Sequence, residues 1–421
     1  MILADTATFS AALKTQFIGP IRDELWKGKV LLFGGDDSNP EGFQGIKRSA
    51  EGVNFVGNEF RIPIKTKRNQ AVGFRFENET LPAASSSEYT YIQDQMRYAY
   101  GALTITGQLL EASVKNEGAF RSAFKAEMED PTESSRLDHN RAAWGDSTGK
   151  LANVASNATS GATTVTLDTT VSFRGGEIID FTTSAGTVVS AAHEVTGVDR
   201  VNKRITVAPA LAANVTARTH FPVRASVSST TSVPNNSLNR EINGLENIIS
   251  DSGTLHGINP NNYGEWKSYV RTGVGGLTET VLRNAKDGVG FESGVDLDSS
   301  DFIWITTRGA RSRYADTLIA YRRFTEANGT KLNGGFRALE FDGDYIFTDD
   351  HCKPGNVYGI HMRKLMWIEG TDWEWMDRDG NVLSKIPGKD AYQATLYKYM
   401  NLGTTSRKSH LRLSGVTDDD R

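Results

Sequence analysis

Trp144-Gly145-Asp146-Ser147-Thr148-Gly149-Lys150 holds the glycine, hydroxyl and lysine groups that a phosphate loop uses. That chemistry needs its glycines spaced so that backbone amides open a helix. Here the spacing is wrong and the segment follows a helical pattern, so it reads as a helix end. Asp349, Asp350, His351 and Cys352 offer carboxylate, imidazole and thiol groups to a metal. Consecutive residues on a strand point to opposite faces and cannot all reach one ion, so a turn before Pro354 is the better reading. Asp377-Arg378-Asp379-Gly380-Asn381 begins like a calcium loop, but Gly388 stands where the twelfth-position glutamate belongs. It reads as a hairpin turn, and Asp36-Asp37 as a solvated one. The seven histidines form no HxxxH or HExxH pair, and no GxSxG, Rossmann or CxxC pattern occurs. Asn-x-Thr triplets such as Asn157-Ala158-Thr159 carry no weight without a secretory leader. These residues assign no catalytic group, no metal and no cofactor, and the chain is read as a non-enzyme. What stands out instead is a cluster of cations, Lys65, Lys67 and Arg68, inside the polar stretch 65–70.

The elements around that cluster are strands. Phe60, Ile62 and Ile64 alternate with polar or small residues, and so do Val72, Phe74 and Phe76. A period of two marks half-buried strands, so the pattern predicts a long hairpin with the basic stretch at its tip. Tyr89, Tyr91, Tyr98, Tyr100, Leu103 and Ile105 extend the strand pattern. Leu110, Val114, Phe120, Phe124 and Met128 then follow a helical face. Asp130-Pro131-Thr132-Glu133 is a capping signal for a second helix running to Trp144. Before all this, Phe9 to Trp26 has helical spacing broken by Pro20.

Residues 151–235 differ in composition, being rich in Ser, Thr, Ala, Val and Gly. Residues 163–167, 177–181, 187–195 and 204–207 read as short strands of a small barrel or sandwich. Val165, Leu167, Ile178, Ile179, Phe181, Val188, Val195, Ile205 and Val207 are its expected core, and 226–237 a polar linker. Further on, 277–284 and 311–327 read as helices, and 302–305 as a buried strand. Residues 336–376 are strand-rich, with turns at Asp342-Gly343 and Pro354-Gly355; 391–413 carries the last strands.

The chain has 421 residues, 38% of them apolar and 23% charged, with a net charge of -4. That is enough apolar residue for a packed core and too much for a disordered chain. The charge excludes a whole-chain basic footprint for nucleic acid. No apolar run of about 18 residues suggests a membrane span, and the first residues do not read as a secretory signal. One cysteine excludes an internal disulfide framework.

The order of elements resembles the major capsid proteins of tailed bacteriophages of the Hong Kong 97 phage-like capsid family. The residues carrying the resemblance are Gly145-Asp146-Ser147-Thr148-Gly149, close to the Gly-Asp-Gly-Thr-Gly stretch after the family's spine helix, and Gly244-Leu245 as its continuation. Pro354-Gly355-Asn356-Val357-Tyr358 and the region 401–413 resemble its late strands. The resemblance implies an α+β capsid fold: an N-terminal arm (1–50), E-loop hairpin and P-domain strands (51–106) and spine helix (107–150). An inserted small all-β domain (151–235), an A-domain (236–330) and P-domain strands with the C-terminal A-domain strand (331–421) would complete it. It implies a homo-oligomer of hexamers and pentamers, an icosahedral head around double-stranded DNA held without sequence-specific binding, and a virion location after assembly in the bacterial cytoplasm. Separate scaffolding, portal and decoration proteins are possible partners; a membrane is not. Lys65, Lys67 and Arg68 would then make an intersubunit contact at the E-loop tip. Some relatives cross-link a lysine of this loop to an asparagine beside a glutamate; neither partner can be matched here, so no cross-link is expected. Two other readings stay open: an encapsulin-like compartment of the same fold, and a secreted adhesin or carbohydrate-binding protein.

Overall fold

The structure, a computed structural model, describes residues 47–48, 53–108, 135, 138–225, 236–294, 297, 301–322, 339–377 and 380–418. The readings on 1–46 (Asp36 and Asp37 included), on 109–134 and on 226–235 lie outside the described residues, as does the end of the helix read at 311–327. As far as they are described, 97–244 and 369–401 form one compact unit and 47–96, 245–368 and 402–418 another.

In the first unit, Arg97–Thr106 pairs antiparallel with Ala391–Thr404 from Thr106↔Ala391 to Arg97↔Met400. Leu103, Ile105, Ala394 and Leu396 turn one face inward against Trp373, Trp375, Val382 and Leu383. The Asp377 segment does turn, with the Gly380 amide bonded to the Asp377 carbonyl at 2.8 Å. It does not close a hairpin, because its flanking strands, Leu365–Trp375 and Ser384–Lys385, both pair with Ala391–Thr404 rather than with each other. Residues 138–144 are helical.

The same unit holds a five-stranded antiparallel sheet ordered His220–Arg224, Ile178–Thr183, Val188–Asp199, Arg204–Ala208, Thr164–Thr166. Val165, Leu167, Ile179, Phe181, Val195, Ile205 and Val207 are fully buried in one cluster with Phe173, Leu211 and Val215. Ile178 and Val188, also expected there, are only half-buried. Bulges between Ile179 and Phe181 and between Val195 and Gly197 shift the register, which turns side chains off the simple alternation. The fifth strand, His220–Arg224, is absent from the sequence reading.

The second unit is built on a six-stranded mixed sheet: Tyr269–Arg271, Leu411–Ser414, Asn356–His361, Phe302–Thr306, Asp344–Thr348, Leu339–Phe341. Phe302–Thr306 is buried at every position, as a central strand covered on both faces must be. Asp342 and Gly343, at φ 54° and 82°, make the tight turn between the last two strands. The helix Glu279–Ser293 starts where the Thr278 side chain accepts from the Val281 amide and stops at left-handed Gly294. It therefore begins later and runs nine residues further than the expected 277–284. Gly288 and Gly290 dilute its pattern; at Gly288 a Cβ would lie 2.8 Å from the Tyr269 ring. The helix Arg308–Arg322 begins three residues before the expected start, its first turn capped by the Thr307 hydroxyl, which accepts from the Ala310 amide at 3.3 Å.

Candidate assembly surface

The extended hairpin of the second unit differs from its expectation. Glu59–Lys67 does not pair with 72–76; it pairs with Glu88–Gln95, in register Ile62↔Ile92 and Pro63↔Tyr91, and on its other edge with Asn54–Val56. A strand pattern becomes a strand only where a partner offers a ladder, and alternation does not name the partner. Residues 68–87 form the connecting loop. It is tied by Asn69 to the Ser85 carbonyl at 2.7 Å, by Arg75 to the Thr80 carbonyl, and by Glu79 to the Phe76 amide. Val72, Phe74, Phe76 and Leu81 are 78%, 103%, 84% and 80% exposed there, and Tyr89 and Tyr91 beside them are exposed too.

Lys65, Lys67 and Arg68 come together, but at the mouth of the loop rather than at its tip. They line a groove of about 570 Å³ with Tyr263, Glu265, Trp266 and Lys408. Lys67 reaches Glu88 at 2.6 Å; this bond and its charge hold the ammonium pKa above its ordinary value. Lys408 pairs with Glu265. Among the described residues Lys65 and Arg68 form no ion pair. The sequence reading found the three cations and missed Glu88, Glu265 and Lys408. Only the cross-strand register, Lys67↔Glu88, and the fold bring these close.

At the helix end in the first unit, the Asp146 carboxylate accepts from the Thr148 amide at 3.0 Å and from the Thr148 hydroxyl. Ser147 and Gly149 have φ 70° and 78°. The segment is thus a side-chain-closed turn after a helix. Gly244, nearly a hundred residues on, packs against it: a Cβ there would lie 2.1 Å from the Gly145 carbonyl oxygen. Beside it Arg141 and Glu241, both nearly buried, form a two-pronged ion pair at 3.1 and 2.5 Å. Burial opposes the Arg141 charge, but the Glu241 carboxylate more than offsets this, so the guanidinium stays charged. Asp138 binds Arg224 at 2.7 Å, and Glu177 lies 3.9 Å from Arg224. These contacts attach the last strand of the five-stranded sheet to the helix. Burial raises the Glu177 pKa, with Arg224 opposing it.

The Asp349-Asp350-His351-Cys352 segment closes on itself. The Asp349 carboxylate accepts from the His351 amide at 2.8 Å, and the Cys352 amide bonds to the Asp349 carbonyl at 3.3 Å. This is a side-chain-closed turn, and burial pushes the Cys352 thiol pKa up. Among the described residues no group of three metal-ligating side chains converges. No described helix is long and apolar enough to cross a membrane.

No family model matches the sequence, and neither does any curated protein. Solved structures do. The capsid asymmetric unit of cyanophage A-1(L) is similar over 93% of this chain and 99% of its own, with a TM-score of 0.52 at 10% identity. The capsid of the native GTA particle matches over 91% and 96%, at 0.42 and 10% identity. The holo-SrpI encapsulin complex of Synechococcus elongatus matches over 88% and 85%, at 0.39 and 7% identity. The mixed sheets and the few described helices are therefore those of a phage capsid fold.

Proposed function

We propose that this chain is the major capsid protein of a tailed bacteriophage, assembling as hexamers and pentamers into the icosahedral head around double-stranded DNA. The observation that carries this reading is the hairpin loop. Four large apolar side chains stand in water on an arm, where an isolated protein would gain nothing from them. The capsid fold supplies the partner class: a second copy of the same chain, over which such an arm would lie. Heterologous contacts of this kind close into rings.

In this reading the arm is the E-loop, 107–150 the spine helix, 151–235 an inserted domain, 236–330 the A-domain, and 331–421 the returning strands. The inserted domain has its own apolar core and would project from the outer face, where it does not break shell contacts. Lys65, Lys67 and Arg68 would meet carboxylates of a neighbour across the loop mouth. The container holds its DNA without gripping it, in keeping with a mildly acidic chain. Scaffolding, portal and decoration proteins would be separate chains, and the location the virion.

Expression of the chain alone, followed by negative-stain microscopy and nuclease treatment, tests this. Closed shells with five- and six-fold vertices are expected. Exclusively monomeric protein under all assembly conditions would sink the reading. Shells that purify with a specific protein cargo would favour the compartment alternative. A ladder of multimers on a denaturing gel would overturn the expectation of no cross-link.

A further inference from the structure

The groove at the foot of the hairpin arm, about 570 Å³ in volume, has a floor and a rim of different character. Ile64, Ile258, Tyr263 and Trp266 form the floor. Ile258 and Trp266 are buried, and the indole N–H donates to the Leu255 carbonyl at 3.3 Å, so the floor is mostly apolar. The rest of the lining is cationic. Lys67 is matched to Glu88 and Lys408 to Glu265, and the Arg407 guanidinium is spent on main-chain carbonyls. Lys65 and Arg68 are left over. Both are exposed, and among the described residues neither side chain forms an ion pair or hydrogen bond.

The other end of the same arm carries the complement. At its apex the Glu79 amide donates to the Phe76 carbonyl at 3.3 Å and the Phe76 amide to the Glu79 carboxylate at 3.1 Å, closing a turn over Glu77 and Asn78. Arg75 spends its guanidinium inside the loop, on the Thr80 and Phe74 carbonyls. The Glu77 carboxylate is exposed and forms no ion pair or hydrogen bond among the described residues. Beside it Phe74 and Phe76 stand in water. The apex thus offers an unmatched carboxylate next to exposed rings, and the foot offers unmatched cations around an apolar floor. These two surfaces do not meet within one chain, because the rings at the apex pack on nothing.

We propose that the arm apex of one copy docks in the foot groove of the next, with Glu77 between Lys65 and Arg68 and Phe76 on the apolar floor. This docking rests on the capsid reading and names the neighbour's segment that meets the cations. Apex and groove are different patches of one subunit, so the contact is heterologous, runs head to tail and can close into rings. A ring laid against Tyr263 and the isoleucines supplies the apolar gain, and the charges beside it fix the register.

The test uses the full chain. Isotope-labelled and unlabelled copies are mixed, assembled and treated with a carbodiimide, which joins a carboxylate to an amine only where the two touch. Mass spectrometry of the digest should find peptides of mixed isotope that join Glu77 to a groove lysine, Lys65 foremost. In parallel, Glu77→Lys alone, and Lys65→Glu with Arg68→Glu, should each raise the protein concentration needed for assembly by up to about fivefold. The three changes together should bring it back towards that of the unaltered chain. The melting temperature of the unassembled subunit should stay unchanged throughout, since none of these side chains has a partner in its own chain. Shells in which Glu77 joins none of the groove lysines, or in which Lys65 joins a different acidic segment, overturn the docking and leave the capsid reading standing. Charge reversals that fail to compensate each other do the same. Protein that never assembles overturns both.

Discussion

Arg407 is fully buried and gives its N–H groups to main-chain carbonyls alone. Nε bonds to Ile248, and the two terminal nitrogens to Gly253, Trp266, Asn247 and Ser252, at 2.8 to 3.5 Å. Burial pulls its pKa down to about 10, so it remains charged at neutral pH. Asn247 and Ile248 end the short helix Leu245–Ile248, the other carbonyls belong to irregular chain, and the guanidinium fork gathers them. Lysine has three donors and no fork. Arg407→Met leaves the carbonyls unmet and should cost about 2–4 kcal/mol; Arg407→Lys should recover only part. Urea denaturation of the unassembled subunit measures both, and a loss below about 0.5 kcal/mol for the methionine variant would refute the account.

His410 lies nearby in sequence, fully buried. Its Nδ1 accepts from the His361 amide at 3.3 Å, which puts the proton on Nε2, facing the Thr404 hydroxyl at 3.0 Å. That hydroxyl donates onward to the Lys364 carbonyl. A second proton on Nδ1 would point at an N–H. Burial, with His361 adding to it, lowers the His410 pKa to about 3. The unfolded chain takes up this proton below about pH 6.5 while the native state refuses it until about pH 3. Stability from this residue is therefore complete above pH 6.5 and lost on acidification, at up to about 1.4 kcal/mol per pH unit. In denaturation series from pH 7 to 4, His410→Gln should flatten the acid limb by close to one proton. An identical slope in the variant would exclude His410 as its source.

Gly244 and Gly145 show at the scale of elements what the sequence carries. A Cβ on Gly244 would meet the backbone oxygen of Gly145 at 2.1 Å and that of Ala142 at 2.7 Å, whereas a Cβ on Gly145 clears Ala142 by 3.2 Å. Backbone cannot yield as a side-chain tip can, so Gly244→Ala should cost about 3 kcal/mol or more and Gly145→Ala clearly less. Equal melting temperatures for the two variants would contradict this. The sequence marked Gly145 as a helix end and Gly244 through the family resemblance, but not that the two backbones meet. Other elements were not legible. His220–Arg224 hid behind Pro222, which argues against a strand; it is an edge strand, with Pro222 opposite Phe181, and edges tolerate proline. The alternation of Val72, Phe74 and Phe76 was real, yet it formed no ladder. The pairs Arg141–Glu241 and Lys67–Glu88 join residues 100 and 21 positions apart, and neither charge advertises its partner.

For the whole molecule, the question is which term drives copies together at the hairpin. Lys67 is already satisfied by Glu88 within its own chain, so trading that partner for a neighbour's carboxylate gains little; exposed pairs are worth about 0–1 kcal/mol. Lys65 and Arg68 can add only salt-sensitive contacts of similar size. Phe74 and Phe76, at 103% and 84% exposure, have far more to gain, since burying such a side chain contributes about 1.5–3 kcal/mol. The apolar term should dominate, with the cations setting register and rate. Changing Phe74 and Phe76 together to Ser should therefore abolish or greatly reduce shell yield. The subunit's own stability should stay within about 0.5 kcal/mol, because these rings pack on nothing in the isolated chain. Changing Lys65, Lys67 and Arg68 together to Glu should give a milder defect that high salt partly relieves. Sedimentation of assembly reactions beside thermal melts of the unassembled protein separates the two effects. Full particle yield from the double serine variant would mean that the loop stays in water after assembly, and the proposed arm-over-neighbour contact would fall.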